Sequence, residues 1–275
     1  MKRKKRERAS LWQRIREKKG IALVYFLLRI SVIAVMVAQF FNGEFQNVFL
    51  CVLTLFLFMT PSFVERRLHI DVPDTLEVII LLFIYAAEIL GEIRAFYIAF
   101  PYWDTMLHTL NGFLCAAIGF SLVDILNRDE HFTLSLSPFF MAVTAFCFSM
   151  TIGVLWEFFE FAADHIFLLD MQKDRVISTI STVMTDPTGG NNPVIYQNIT
   201  DVILVTEQGD ISLGLGGYLD VGLIDTMKDL MVNFIGAVVF SVIGYFYVKN
   251  RGRGKFAKRF IPQLKRSELK NKADE

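Results

Sequence analysis

Six apolar runs, each about as long as a bilayer is thick, constrain this chain more than any other feature. A helix rises about 1.5 Å per residue, so about 20 apolar residues cross the hydrocarbon layer. Hydrophobic residues make up 53% of the 275 positions, and the mean hydropathy of +0.44 is too high for an average soluble domain. The predicted fold class is an all-α integral membrane protein, a bundle of six transmembrane helices.

Polar segments divide the six predicted spans, whose ranges are 21–41, 48–64, 76–96, 103–126, 136–162 and 225–248. The first run is longer than the apolar core of a signal peptide, so we expect it to be retained. Residues 170–220 are polar, and alternation around Gln208 and Gly209 predicts a β-hairpin there. The expected domains are a basic tail (1–19), a transmembrane domain (20–248) containing this insertion, and a second basic tail (249–275).

Lysine and arginine counts orient the predicted bundle. Ten of the 28 lie in the first 19 residues and ten more follow Val248, whereas the opposite side holds at most Arg94, Lys173, Arg175 and Lys228. The positive-inside rule therefore places both termini in the cytoplasm and the 170–220 insertion outside. We expect a multi-pass protein of the cell (inner) membrane whose main partner is the lipid bilayer. The basic tails indicate topology and do not predict nucleic-acid binding.

Polar side chains recur at helical spacing inside several of these spans. Asp104, His108 and Asn111 are separated by four and three residues, so they share one helical face. Comparable stripes occur elsewhere in the chain. Their members are Glu88 and Glu92, Glu157 and Glu160, and Asp225, Asp229 and Asn233. The predicted topology puts all four stripes at one depth, in the outer half of the bilayer.

The charges of these stripes do not balance. Seven carboxylates (Glu88, Glu92, Asp104, Glu157, Glu160, Asp225 and Asp229) face two fixed cations, Arg94 and Lys228. An uncompensated charge near the bilayer centre costs about 2.5–3.5 kcal/mol. We therefore expect protons or bound cations to neutralise the excess negative charge. A structural alternative is that the two cations pair with the acids and lock the bundle.

Carboxylates and a histidine from facing helices can hold a metal ion, and this donor set suits Mg, Mn, Fe or Zn without choosing among them. We predict three groups of site residues. The catalytic group is Asp104, His108, Glu157 and Glu160; the cofactor-binding group is Glu88, Glu92, Asn111 and Asn233; the metal ligands are His108, Glu157, Asp225 and Asp229. The cysteines Cys51, Cys115 and Cys147 lie in apolar runs without metal-site spacing and are read as buried hydrophobic residues.

The three motifs also carry a resemblance. The segments Trp103-Asp-Thr-Met-Leu-His108, Trp156-Glu-Phe-Phe-Glu160 and Asp225-Thr-Met-Lys-Asp229, with Asn233 and Gly236, resemble the YjdF-type family of uncharacterised bacterial inner-membrane proteins. The resemblance covers about residues 75–248 and implies a multi-pass membrane protein without an established activity. More loosely, Asp229 to Gly236 is similar to the last motif of VanZ-like envelope proteins. Glu160 stands where that pattern tends to have glutamine.

Three classes of function remain open at this stage. The first is a metal-dependent envelope hydrolase or transferase that acts on a lipid-linked or headgroup substrate. The second is a cation- or proton-coupled transporter, although the chain shows no internal repeat. The third is a non-catalytic, partner-binding envelope protein that uses the insertion as its contact surface.

Overall fold

A computed structural model describes residues 19–67, 70–127, 136–250, 252 and 254–264. Most of the two predicted basic tails lies outside the described residues. Contacts divide the chain into two compact units, residues 1–151 with 232–275 and residues 152–231, and the divisions fall inside two uninterrupted helices.

Within the described residues, five helical stretches are long and apolar enough to cross a membrane: Gly20–Phe41, Phe45–Arg67, Trp103–Asn127, Pro138–Phe167 and Leu223–Lys249. The chain is therefore a mostly helical protein with spans close to five of the six sequence predictions. The first stretch belongs to helix α1 (Lys19–Phe41), and the second consists of α2 (Phe45–Leu57) and α3 (Thr60–Arg67).

The predicted span at 76–96 has an unexpected geometry. Helix α4 (Asp74–Tyr85) continues directly into a π-helix (Ala86–Ile93), in which the Arg94 amide bonds to the Ile89 carbonyl. A π-helix leaves carbonyl groups out of the regular ladder. The indole Nε1 of Trp103 donates to one of them, that of Ala86, at 3.3 Å. This stretch is not among the five helical stretches given above, so the six-helix count stays a prediction.

Three of the next four helices, all except the short first one, carry the site. The short α5 (Phe96–Ala99) precedes α6 (Trp103–Asn127), which is followed by α7 (Pro138–Phe167) and, after the insertion, by α8 (Leu223–Lys249). Helix α7 begins where its sequence favours a start, because proline suits the first helical position and the Ser137 hydroxyl accepts the Phe140 amide at 3.2 Å.

The first unit also contains a C-terminal segment that the sequence did not assign to the bundle. A 3₁₀ turn (Ala257–Arg259) leads to strand β8 (Gln263–Leu264), which pairs antiparallel with β1 (Ile70–Asp71). Phe260 and Ile261 are buried in the main apolar core beside Phe113, Phe120 and Phe240. This part of the second predicted tail therefore packs into the core, because it buries the apolar side chains of Phe260 and Ile261.

The second unit carries the insertion, which contains three small antiparallel sheets. They pair β2 (Val176–Ile177) with β7 (Tyr218–Leu219), β3 (Ile180–Thr182) with β4 (Val194–Tyr196), and β5 (Ile203–Thr206) with β6 (Gly209–Ser212). Between β3 and β4 the Asp186 carboxylate accepts bonds from Thr188 and Asn192, which lower its pKa to about 2. Its ionised form therefore holds this loop together.

Candidate functional site

Helix α6 presents the first part of the site. His108 Nε2 lies 3.4 Å from Asp104 Oδ1, one helical turn away, as their spacing of four residues requires. The side chains keep 12% and 21% of their surface exposed, respectively. An imidazole and a carboxylate thus lie side by side on a largely apolar helix, and both remain partly exposed.

The next turn of α6 fixes the position of α8. Asn111 Nδ2 donates to Asn233 Oδ1 at 3.2 Å, and Asn233 is only 1% exposed. Glycines allow the two backbones to approach: a Cβ atom at Gly112 would lie 2.0 Å from the Asn233 carbonyl oxygen, and one at Gly236 would lie 2.0 Å from that of Thr109. Small residues are the usual means of such close contact inside membranes.

Asp229 completes a group of three. It precedes Asn233 by four residues on the uninterrupted helix α8, as His108 precedes Asn111 by three on α6. The hydrogen bond between the side-chain amides of Asn111 and Asn233 therefore aligns these turns of α6 and α8. One potential ligand atom from each of Asp104, His108 and Asp229 lies within 4.8 Å of the others, so this group could hold a metal ion.

Helix α7 makes polar contacts with both helices that carry this group. The Ser149 hydroxyl donates to the Gly112 carbonyl at 2.7 Å, and Asn233 Nδ2 contacts the Met150 sulfur at 3.7 Å. On the other side, the Cys115 thiol donates to the amide oxygen of Asn111 at 3.4 Å. The two asparagines expected to bind a cofactor are thus engaged with each other and with neighbouring helices.

Other predicted site residues have different surroundings. Glu160 accepts the Trp156 indole at 2.7 Å and is 8% exposed, and Glu157 is 4% exposed. Glu88 and Glu92 lie in the π-helix. Asp225, predicted as a metal ligand, accepts the Lys173 amide at 3.0 Å and the Arg175 guanidinium at 2.9 Å.

Arg175 is a partner that the sequence analysis placed outside the site. Its guanidinium contacts a carboxylate 50 positions away, a separation that no helical or strand spacing can signal. Asp164 has a comparable role, because its two oxygens accept the amides of Met171 and Gln172 at 2.6 and 2.8 Å. In the same segment, burial and the nearby Asp170 and Asp220 carboxylates raise the pKa of Asp174.

Apolar helices of bilayer length with a group of acidic and histidine side chains define the class: an integral membrane protein with an internal polar site. The chain belongs to the family described as predicted membrane protein (DUF2238), whose profile matches residues 24–250.

A curated relative offers little beyond this family. An uncharacterized protein of Thermotoga maritima is 25% identical over 107 residues, which make up 39% of this chain and 53% of that protein. The chain thus spans about half the length of this relative. No solved structure matches the chain.

Proposed function

We propose that this protein is a membrane enzyme in which Asp104, His108 and Asp229 hold a divalent metal ion. The observation that carries the proposal is the grouping of an imidazole nitrogen and two carboxylate oxygens within 4.8 Å. Two oxygen donors and one nitrogen donor fit Mg, Mn, Fe or Zn. Three protein ligands leave coordination positions for water or substrate.

The proposed reaction is hydrolysis or group transfer on a lipid-linked or headgroup substrate. A bound metal ion would supply Lewis acidity and an acidified water at neutral pH. Asp104 and His108 retain 21% and 12% exposure, so these ligands are not fully enclosed by the bundle. We assign Glu157 as the general base; it lies two helical turns beyond Met150 on the same face of α7. Glu160, which accepts the Trp156 indole, is the second acidic residue next to it.

Aromatic packing below the asparagine pair favours an enzyme over a transporter. Phe113 lies between the rings of Phe240 and Phe260, with centroid distances of 5.0 Å to each. These rings belong to the main apolar core, so the surface next to the asparagine pair is apolar on this side, and the next buried polar side chains of α6 and α8 are Ser121, Asp124 and Ser241. A transporter needs access from both faces in turn, whereas an enzyme needs access from one.

The proposal includes the orientation argued from charge. Both termini are placed in the cytoplasm, α4 and the π-helix form the sixth span, and the site and insertion face the outside of the cell membrane. The YjdF-type and VanZ-like resemblances agree with an envelope role. The substrate then belongs to the outer leaflet or to the envelope.

Metal analysis of the purified, full-length protein tests the proposal. After incubation with Zn²⁺, Mn²⁺ or Mg²⁺ and removal of excess ion, we expect about one metal per chain for one of these ions. His108→Ala and Asp229→Asn should each weaken binding at least about tenfold, as loss of one of three ligands implies.

The matched control is His165→Ala. His165 lies near the end of α7, is exposed and stacks on Phe161 at 4.0 Å, so its loss should not change metal binding. Folding of every variant is checked by its thermal unfolding temperature. Wild-type protein that binds none of the three ions, or equal binding by the His108→Ala variant, would contradict the proposal.

A further inference from the structure

The connection between α4 and α6, residues 86–103, has two unusual backbone features. The π-helix is eight residues long, although π-helices rarely exceed one turn. It is followed by Ala95, whose left-handed backbone conformation (φ 54°) is unfavourable for a residue with a Cβ atom. Such features persist where surrounding contacts stabilise them, and they often accompany a functional site. The contacts made by this connection therefore indicate its role.

Several of these contacts meet at Trp103, the first residue of α6. Its ring centroid lies 4.9 Å from that of Phe96 and 6.3 Å from that of Phe100. Its indole Nε1 donates to the Ala86 carbonyl at 3.3 Å, 17 positions earlier in the chain. Its backbone amide donates to the Phe100 carbonyl at 3.0 Å. Trp103 thus joins the start of α6 both to the π-helix and to the short α5.

A second contact sets the position of α5 against the π-helix. A Cβ atom at Gly91 would lie 2.4 Å from Cε2 of Tyr97, so the tyrosine ring rests directly on the glycine backbone. Phe96 is the neighbour of Tyr97 in α5, and the same contact therefore determines where the Phe96 ring meets Trp103.

The start of α6 needs this support because of the residues that it carries. Asp104 directly follows Trp103, and His108 lies one turn further along. The amides of a first helical turn have no carbonyl partners within the helix, and helix ends fray. Metal ligands must be held to within about 0.5 Å of their working positions. A neighbour that is bonded to the π-helix restricts the movement of the Asp104 carboxylate.

We infer that Trp103 is a positioning residue for the Asp104–His108 side of the metal site, and that the π-helix is the support to which its indole N–H is bonded. The inference rests on the proposed function and adds to it a residue outside the ligand set. A tryptophan that only anchors a helix at the membrane interface directs its N–H to water or to headgroups. The Trp103 N–H bonds instead to the backbone of the chain itself.

Removal of this N–H alone tests the inference in the full-length protein. Benzothienylalanine at position 103 keeps the shape of the indole and replaces the N–H by sulfur. We expect the affinity for Zn²⁺, Mn²⁺ or Mg²⁺, whichever the wild type binds, to fall at least about tenfold. The unfolding temperature should fall by no more than about 4 °C, as expected for one lost hydrogen bond. Trp103→Phe, which keeps an aromatic ring without the donor, should have the same effect on affinity.

Tyr102→Phe is the matched control. It removes a polar group from the preceding residue, whose side chain is 78% exposed, and should leave metal affinity unchanged. Gly91→Ala displaces the Tyr97 ring and should weaken metal binding without touching Trp103 or any ligand. Gly20→Ala, where a Cβ atom would meet nothing within 4 Å, should not.

A second measurement does not depend on metal. The nitrogen NMR signals of the His108 ring, assigned by their loss in His108→Ala, report its contact with Asp104 at 3.4 Å in metal-free protein. We expect these signals to shift in the benzothienylalanine and Trp103→Phe variants and to stay unchanged in Tyr102→Phe. If the wild type binds none of the three ions, the proposed function fails, whereas a shift of the His108 signals would still support the positioning role.

Unchanged His108 signals in both Trp103 variants would overturn the inference, whatever their stability. Loss of stability without a change in these signals or in metal affinity would mean that the bond to Ala86 supports the fold alone. An equal shift in Tyr102→Phe would mean that any change near the start of α6 disturbs His108, and it would overturn the specific role of Trp103.

Discussion

The side-chain amide of Asn111 donates a 3.2 Å hydrogen bond to that of Asn233, 122 positions further along the chain. This bond joins α6 to α8 inside the bundle, where Asn233 is 1% exposed. An amide without a partner in such surroundings loses hydrogen bonds that water would otherwise supply. The hydrogen bond therefore fixes the register of α6 against α8, including the turns that carry His108 and Asp229.

A double-mutant cycle should show this coupling. Asn111→Leu and Asn233→Leu each leave the remaining amide in an apolar setting, so each should destabilise the fold. The double variant removes both amides and should recover part of the loss. We expect a coupling of about 0.6–1.7 kcal/mol in the free energy of unfolding, measured in mixed micelles.

The control cycle uses Asn47 and Gln39, whose side chains bond at 3.1 Å across the turn between α1 and α2. Water reaches this turn, so a coupling near zero is expected. Additive effects at Asn111 and Asn233 would show that the bond does not set the helix register.

Glycine at 236 is the basis of a second prediction. A Cβ atom there would lie 2.0 Å from the backbone oxygen of Thr109, which cannot move aside without moving the helix. Gly236→Ala should therefore lower the free energy of unfolding by about 1–3 kcal/mol and weaken metal binding by separating α8 from α6.

Gly20→Ala is the matched control for this substitution. Gly20 also lies in a membrane-spanning helix, but a Cβ atom there would meet nothing within 4 Å. Alanine should leave stability unchanged or raise it by up to about 1 kcal/mol through its better helix propensity. Equal effects of the two substitutions would refute the close-contact argument.

Phe260 gives a third prediction, about the C-terminal segment. Its ring is 7% exposed and lies 5.0 Å from that of Phe113. Phe260→Ala should cost about 3–5 kcal/mol, because it leaves a cavity beneath the asparagine pair. Phe256→Ala is the control, since that ring is 53% exposed. Thermal unfolding of the full-length variants separates the two, and similar unfolding temperatures would mean that the segment does not pack in the core.

The sequence predicts well those features that depend on neighbouring residues. Apolar runs of sufficient length specify spans, so α6, α7 and α8 were found to within a few residues at most ends. Helical spacing likewise put Asp104 and His108 on one face. The predicted topology also puts the first turns of α6 and α8 at one depth, because both spans enter the membrane from the same side, and Asp229 lies in those turns.

Features that depend on distant contacts escaped the sequence analysis. The π-helix, which is accompanied by the Trp103 bond to the Ala86 carbonyl, gives no sign in an apolar run. Phe260 falls within the second predicted basic tail (249–275), because basic residues surround it in sequence. Arg175 enters the sequence prediction only through the charge count that sets topology, whereas its guanidinium binds Asp225 at 2.9 Å.

Arg175 leads to the last prediction. Its partner Asp225 is 3% exposed, so Arg175→Met would leave a buried carboxylate without its cationic neighbour. Because the arginine itself is 44% exposed, solvent moderates the loss, which we expect to be about 1–3 kcal/mol. The amide of Lys173, which bonds to the same carboxylate at 3.0 Å, would also be held less firmly. Limited proteolysis should therefore cut residues 168–175 faster.

Lys173→Met is the control for this substitution. Its ammonium group lies 3.8 Å from Asp170 Oδ2, and both side chains are exposed, so the ion pair contributes less than about 1 kcal/mol. The unfolding temperature and the rate of cleavage should then change for Arg175→Met and stay near wild type for Lys173→Met. Matching losses in both variants would mean that the total positive charge of the segment, and not the bond to Asp225, holds the start of the insertion against α8.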